Sequence, residues 1–153
     1  MRILGLISVV VAMIAAQPSH ADWQYTKWGM TSDEVVTASE GKAKPGKDPR
    51  FLEAEHSSGR YAFKVSFTFS TSQKRLESVT LYLLDISNSN CGHLAGALFL
   101  KYGVPASDDN NKLHRLAIWR VPSSPTQISF WAIPNGSCTL TYMAMVNENN
   151  EGL

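Results

Sequence analysis

The two cysteines, Cys91 and Cys138, carry the most reactive side chains of this 153-residue sequence. Cys91 lies near the start of a predicted helix, where the helix dipole favours a thiolate, and His93 follows two residues later. This arrangement raises the hypothesis of a thiol or hydrolytic enzyme that uses Cys91 with a histidine. However, residues two apart on a helix do not face each other, and the N-terminal sequence predicts export, which would bring the cysteines into an oxidising compartment. We therefore predict a Cys91–Cys138 disulfide and keep the enzyme as an alternative.

Sequence templates for catalysis or metal binding give no further candidate. The sequence contains no G-x-S-x-G, no H-E-x-x-H, no glycine-rich phosphate loop and no calcium-loop pattern. His56, His93 and His114 are widely spaced, so their spacing does not require a metal site. Glu53 and Glu55 share one face of a predicted strand, where carboxylates are commonly solvated edge charges. These observations predict no metal and no cofactor, and they favour a protein that is not an enzyme.

Five aromatic residues are the candidate binding residues: Trp23, Tyr25, Tyr82, Trp119 and Trp131. Two of the predicted strands, those that contain Tyr82 and Trp131, carry apolar or aromatic residues on both faces. Two helices can cover only one face of a sheet, so some of this apolar surface is expected to be exposed. Exposed Trp and Tyr side chains on a rigid sheet commonly anchor protein interfaces. For each single residue, core packing is favoured over an interface, and the interface is a hypothesis for the five residues as a group.

The first half of the chain predicts one helix followed by three strands. Thr31 and Glu34 form a capping box at the start of the helix, and Gly41 ends it after Glu40. The basic, Gly- and Pro-rich segment that follows is predicted to be a linker, with an anion-binding loop as the alternative. Apolar residues at every second position then predict strands at 51–58, 61–70 and 76–85.

The second half predicts the same plan. A helix from about Cys91 to Tyr102 has one apolar side and stops at Gly103. Strands are predicted at 113–121, 126–133 and 138–146. We therefore expect an α+β fold of two helix-plus-three-strand antiparallel units, with the helices packed on one sheet face. The expected single domain covers residues 22–146, with a possible tandem repeat of residues 22–86 and 87–146.

The two ends of the sequence predict a signal peptide and a flexible tail. Residues 1–21 have the pattern of a secretory signal, with Arg2, an apolar run and small residues before the predicted cleavage point. The apolar run, Ile3 to Ala16, is shorter than the roughly 20 residues that span a bilayer. We expect a periplasmic or secreted protein without a transmembrane segment in the mature chain. Residues 147–153 are predicted to be a flexible tail.

Charge is balanced in the predicted mature chain. The whole sequence has 14 Lys and Arg residues against 13 Asp and Glu residues, and removal of residues 1–21 takes away one basic residue, Arg2. A chain without net charge has no excess positive charge to attract nucleic acid or an anionic membrane surface. The sequence therefore predicts no nucleic-acid partner.

The pattern W-G-M-T-x-x-E-V, from Trp28 to Val35, resembles the helix start of small exported bacterial proteins of unknown function. The helix-plus-antiparallel-sheet plan resembles the β-lactamase inhibitor protein-like fold, which also includes small outer-membrane assembly proteins. This resemblance implies a sheet surface that binds proteins of the cell envelope, and not an enzyme. This chain lacks the acylated cysteine of the assembly lipoproteins, which argues against a membrane-anchored role.

Together, these patterns predict an exported, non-catalytic binding or inhibitor-like module that binds an envelope protein through a sheet face. Two alternatives stay open. One is the enzyme that uses Cys91 with a histidine. The other is a carrier of a small apolar ligand, which a deep pocket between the helices and the sheet would support.

Overall fold

The structure is a computed structural model that describes residues 23–48, 50–122 and 124–145. The predicted signal peptide, the predicted tail and Val146 lie outside these residues. Helix α1 spans Ser32–Ala38 and helix α2 spans Asn88–Tyr102. Neither of these two helices is long and apolar enough to cross a membrane. The strands are β1 Lys44–Pro45, β2 Phe51–Ser58, β3 Tyr61–Phe69, β4 Leu76–Leu83, β5 Ser107–Asn110, β6 Arg115–Arg120, β7 Thr126–Ile133 and β8 Ser137–Ala144.

These strands form one antiparallel sheet with the order β1-β2-β3-β4-β8-β7-β6-β5. Within β1–β4 and within β5–β8, each strand pairs with the next one along the chain. The two runs meet in the middle of the sheet, where β4 pairs with β8 and Leu81 lies opposite Leu140. The first strand of each run, β1 or β5, therefore forms an edge of the sheet.

The predicted fold of two helix-plus-three-strand units is wrong, although the predicted α+β class is right. The described strands form a single sheet of eight, and its edge strands β1 and β5 lie outside the segments that the sequence predicts as strands. Lys44–Pro45 and the Ser-Asp-Asp-Asn sequence of β5 have low strand propensity, so the sequence does not predict these two strands. Proline and charged residues are tolerated at a sheet edge, because one row of backbone groups there needs no partner strand.

The two faces of the sheet differ in burial along the same strands. On one face, which we call the covered face, alternate residues are buried, such as Phe63, Val65 and Phe67 of β3 and Ile128 and Phe130 of β7. Their neighbours in sequence point to the opposite face, which we call the open face, and are mainly polar. This period of two is typical of an antiparallel sheet with one side against the core.

Both helices contribute to the core on the covered face. Val35 is the buried residue of α1, and α2 contributes four apolar residues at positions i, i+3, i+4 and i+7: Cys91, Leu94, Ala95 and Leu98. This spacing places the four residues on one side of the helix. The sulfur atoms of Cys91 and Cys138 lie within bonding distance, as the predicted disulfide requires, with their Cα atoms 6.0 Å apart. The disulfide therefore attaches α2 to β8.

The predicted capping box begins α1. The Glu34 backbone N–H donates to Thr31 Oγ1 at 3.3 Å, and the Thr31 N–H donates to Glu34 Oε2 at 2.7 Å. The hydrogen bonds from Thr31 lower the pKa of the Glu34 carboxyl. A carboxylate at this position also suits the positive end of the helix dipole.

The residues just before α1 connect it to both runs of strands. The indole N–H of Trp28 donates to Thr126 Oγ1 of β7 at 2.8 Å, and the Gly29 N–H donates to the Leu76 carbonyl of β4 at 3.0 Å. Gly29 has a φ of 84°, which favours glycine at this turn. Trp28 and Gly29 therefore form a packing and turn element between the helix and the sheet.

Candidate functional site

A cavity of about 430 Å³ lies between α2 and the covered face of the sheet. One wall consists of residues that recur along one side of α2: Leu94, Ala97, Leu98, Lys101 and Tyr102. The opposite wall consists of strand residues that point to the covered face: Phe63, Leu81, Ile128, Leu140 and Tyr142. The remaining lining residues come from the start of the described chain, from β2 and β3 and from the position just after β6: Trp23, Gln24, His56, Ser58, Tyr61 and Val121.

The cavity is apolar inside and more polar at its opening. The four leucines of its two walls are each at most 5% exposed. Gln24, Ser58, Ala97 and Lys101 line the cavity and are also exposed to solvent, so they mark the opening. Ala97 contributes a single methyl group, which leaves room between α2 and the strands.

Two tyrosine hydroxyls face each other in the cavity wall. Tyr102 of α2 and Tyr142 of β8 have their hydroxyl oxygens 3.3 Å apart. Burial raises the pKa of Tyr142, and the neighbouring Tyr102 raises it further. Both effects disfavour the phenolate, so the Tyr142 hydroxyl keeps its proton at neutral pH and can donate a hydrogen bond.

A histidine lies at the end of the cavity near the start of the described chain. The rings of His56 and Trp23 meet edge to face with their centroids 5.4 Å apart, and Gln24 Nε2 lies 3.3 Å from His56 Nε2. Burial lowers the pKa of His56, because desolvation penalises the imidazolium. This end of the cavity is therefore polar but uncharged at neutral pH.

The open face carries rows of cross-strand neighbours that are mostly polar. The central row is formed by hydroxyl residues: Ser66, Thr80, Thr141 and Ser129. Within it, the hydroxyls of Thr80 and Thr141 lie 3.1 Å apart. An adjacent row contains both aromatic residues of this part of the sheet: Lys64, Tyr82, Thr139, Trp131 and Leu116.

Trp131 is partly covered by a histidine at the β5–β6 edge. The His114 ring stacks on the Trp131 ring at a centroid distance of 4.8 Å, and His114 Nε2 lies 3.0 Å from Asp109 Oδ2. Trp131 is consequently half-buried, whereas Tyr82 in the same row is 45% exposed. This row of the open face thus presents one well-exposed aromatic ring and one that stacks on a neighbouring side chain.

The structure does not bring the five predicted binding residues together. Trp23 and Trp119 are buried in the core, at 5% and 2% exposure, and Trp23 also lines the cavity. Tyr25 is half-buried and packs against Trp23, with ring centroids 5.7 Å apart. Tyr82 and Trp131 alone lie on the open face.

Sequence reasoning did not single out His56, Tyr102 or Tyr142 as binding residues. Helical spacing places Tyr102 on the apolar side of α2, and alternation places Tyr142 on the same face as Leu140. What no local pattern indicates is that the two hydroxyls meet. Their proximity depends on which strands lie under α2, and therefore on the strand order of the whole sheet.

The residues considered for other chemistry do not form a reactive centre. The described chain has no free cysteine, since Cys91 is joined to Cys138. Cys91 and His114 do line one small cavity of about 150 Å³, but the sulfur there is already bonded. Among the described residues, no group of three or more His, Cys, Asp or Glu side chains is placed to hold a metal ion.

Comparisons with known proteins assign no family. No family model and no curated protein matches the sequence. Among solved structures, the crystal structure of YjgB, a DUF4309 family protein from Bacillus subtilis subsp. subtilis str. 168, is similar with a TM-score of 0.48. The two chains share 14% sequence identity, over 74% of this chain and 78% of that one. This likeness carries no functional inference, and the resemblance to β-lactamase inhibitor protein-like folds is not confirmed.

Proposed function

We propose that this protein binds a small, largely apolar ligand in the cavity between α2 and the covered face of the sheet. The observation that supports this function is the cavity itself. Its volume of about 430 Å³ lies within the range of about 300–1,000 Å³ that is typical of ligand pockets. Its walls are formed mainly by leucine, isoleucine and aromatic side chains with a few polar groups, which is the usual composition of such pockets.

Water is a poor occupant for the inner part of this cavity. A bound water molecule needs about two to four polar partners. Leu81, Leu94, Leu98 and Leu140 offer none, and the polar atoms are confined to the tyrosine pair, the His56 end and the opening. An apolar molecule would instead remove the leucine side chains from water, which is worth roughly 25 cal/mol for each Å² buried.

We place this function outside the cytoplasm, in the periplasm or the surrounding medium. The support for this location is the predicted signal sequence together with the Cys91–Cys138 pair. Disulfides persist in oxidising compartments and are rare in the cytosol. A small exported protein with an internal cavity suits the carriage or capture of a ligand there.

Protein binding through the open face is a second hypothesis. Its support is the exposure of Tyr82 and Met143, at 45% and 43%. The row between these two residues consists of serine and threonine, however, and hydroxyl residues suit a solvated sheet face. Trp23 and Trp119, which the hypothesis would use as anchors, lie in the core. The cavity therefore has the stronger geometric support.

The proposed function is tested by titration of the purified protein with N-phenyl-1-naphthylamine, a neutral apolar probe that fluoresces in apolar surroundings. We expect saturable binding at one site. Ala97→Trp places a large ring at the opening and should weaken binding about tenfold or more, because the ring and the probe compete for the same space.

The matched control is Leu100→Trp, which introduces the same ring on α2 at a position that is 91% exposed and does not line the cavity. This variant should bind the probe as the wild type does. Equal probe binding by wild type and Ala97→Trp, with both folded by circular dichroism, would place the probe elsewhere and reject the proposal.

A further inference from the structure

The tyrosine pair has one hydroxyl proton without an acceptor in the described protein. The two hydroxyls supply two protons, and the hydrogen bond between Tyr102 and Tyr142 uses one of them. Neither hydroxyl makes another hydrogen bond within the described residues. Because both groups line the cavity, the remaining proton is available to a ligand that carries a hydrogen-bond acceptor.

A positive charge lies over the ring of one of the two tyrosines. Lys101 also lines the cavity, and its Nζ is 5.0 Å from the centroid of the Tyr102 ring. None of the described lining residues is an aspartate or glutamate. The other lining residue that could become cationic is His56, whose pKa burial lowers, so Lys101 is the charged lining residue at neutral pH.

The apolar and polar parts of the cavity are therefore arranged for a molecule with two different ends. Leucine and isoleucine side chains from both walls surround its inner part, while Tyr102, Tyr142 and Lys101 lie together at one side. A carboxylate accepts hydrogen bonds from hydroxyls and is attracted to an ammonium group, and charge-assisted hydrogen bonds of this kind are stronger than neutral ones.

We infer that the ligand is an amphiphile with a carboxylate group, which the hydroxyls of Tyr102 and Tyr142 and the ammonium group of Lys101 hold, while its apolar body lies between α2 and the sheet. This inference rests on the function proposed above and adds the chemical class of the ligand. A protonated alkylamine of the same chain length has no oxygen to accept a hydrogen bond from the tyrosine hydroxyls. Its positive charge is also repelled by the ammonium group of Lys101.

The experiment compares decanoate with decylamine as competitors of N-phenyl-1-naphthylamine on the wild-type protein at neutral pH. Decanoate should bind about tenfold or more tightly than decylamine. The ratio of the two affinities should fall towards one in the double variant Tyr102→Phe/Tyr142→Phe, which removes both hydroxyls and keeps both rings. Lys101→Gln should lower the same ratio, because it removes the charge and keeps most of the side-chain length.

The outcomes separate this inference from the proposed function. If the neutral probe binds and the two amphiphiles displace it equally, or decylamine displaces it better, the carboxylate inference is overturned while the cavity function stands. The same holds if the affinity ratio in the double variant equals that of the wild type. If neither the probe nor either amphiphile binds the folded protein, the cavity function itself fails. Preferential displacement by decanoate that depends on the two tyrosines and Lys101 supports the inference.

Discussion

The covered and open faces belong to the same strands, but their side chains are stabilised in different ways. On β7, Phe130 is 1% exposed on the covered face, while its neighbour Trp131 is half-buried on the open face and stacks on His114. On the open face, side chains make hydrogen bonds and ring stacks with one another in the presence of water, as Thr80 and Thr141 do through their hydroxyls. The covered face depends instead on other elements to exclude water, and the cavity lies where that exclusion is incomplete.

The covered face is itself filled unevenly. Near α1 the packing is tight, and Val35, Phe67 and Leu76 are each at most 2% exposed. Under the C-terminal half of α2, the walls stand apart around the cavity. Phe67 fills part of the core with a large ring, whereas Ala97 contributes only a methyl group to the cavity lining on α2. The difference shows that the cavity is a local property of the α2 side and not of loose packing throughout the core.

The largest expected effect compares Phe130→Ala with Trp131→Ala, adjacent residues on opposite faces. Loss of the Phe130 ring leaves a cavity in the core, and we expect the free energy of unfolding to fall by about 3–5 kcal/mol. Trp131→Ala removes a half-buried ring whose stack on His114 is worth about 1 kcal/mol beyond the area it buries, so we expect a smaller loss than for Phe130→Ala. Urea denaturation of both variants measures the difference. Similar losses for both variants would mean that the two faces are equally important for stability.

The second prediction concerns the covalent attachment of α2 to the covered face. Replacement of both cysteines, Cys91→Ala/Cys138→Ala, should lower the free energy of unfolding by about 2–4 kcal/mol, because the bond constrains the unfolded chain. The wild-type protein under reducing conditions is the control and should show a similar loss. A change below about 1 kcal/mol in both would show that noncovalent packing alone holds α2 in place.

Much of the local structure could be predicted from the sequence, because local patterns determine it. The alternation of β3, the capping box at Thr31 and the apolar side of α2 all correspond to observed elements. The edge strands could not be predicted, since β1 and β5 are held by pairing with one neighbour and not by their own propensity.

The candidate site was less predictable than the strands, because it depends on residues that are far apart in the sequence. The position of Trp23 in the core follows from its contacts with His56 and Phe67, which no local pattern specifies. The contact between Tyr102 and Tyr142 likewise requires that β8 lie in the middle of the sheet. Sequence patterns therefore identify the faces of each element, whereas strand order decides which side chains share a cavity.

A smaller effect tests whether the open face contributes stability through its own hydroxyl pairs. In a double-mutant cycle of Thr80→Ala and Thr141→Ala, we expect a coupling energy of about 0.2–1 kcal/mol, typical of a cross-strand threonine pair. Urea denaturation of the two single variants and the double variant measures it. A coupling well above this range would show that the open face is organised more rigidly than a solvated sheet surface requires.

The smallest expected effect is a pH dependence that arises on the covered face. Burial lowers the pKa of His56 in the folded protein below its ordinary value of about 6.5. As the pH falls through that value, the unfolded chain binds a proton at His56 before the folded protein does. The free energy of unfolding therefore decreases from about pH 6.5 downwards, until the pH is below the folded pKa.

Unfolding by urea at several pH values between 5 and 8 measures this decrease, with pH limits chosen around the ordinary histidine value of about 6.5. His56→Gln should show a weaker pH dependence than the wild type, because glutamine does not titrate. Ser58→Ala is the matched control, since Ser58 lines the same cavity from the same strand and has no titrating group. The same pH dependence in wild type and His56→Gln would mean that the covered face does not resist a charge at His56. In that case the His56 end of the covered face would tolerate a charge as a solvated surface does.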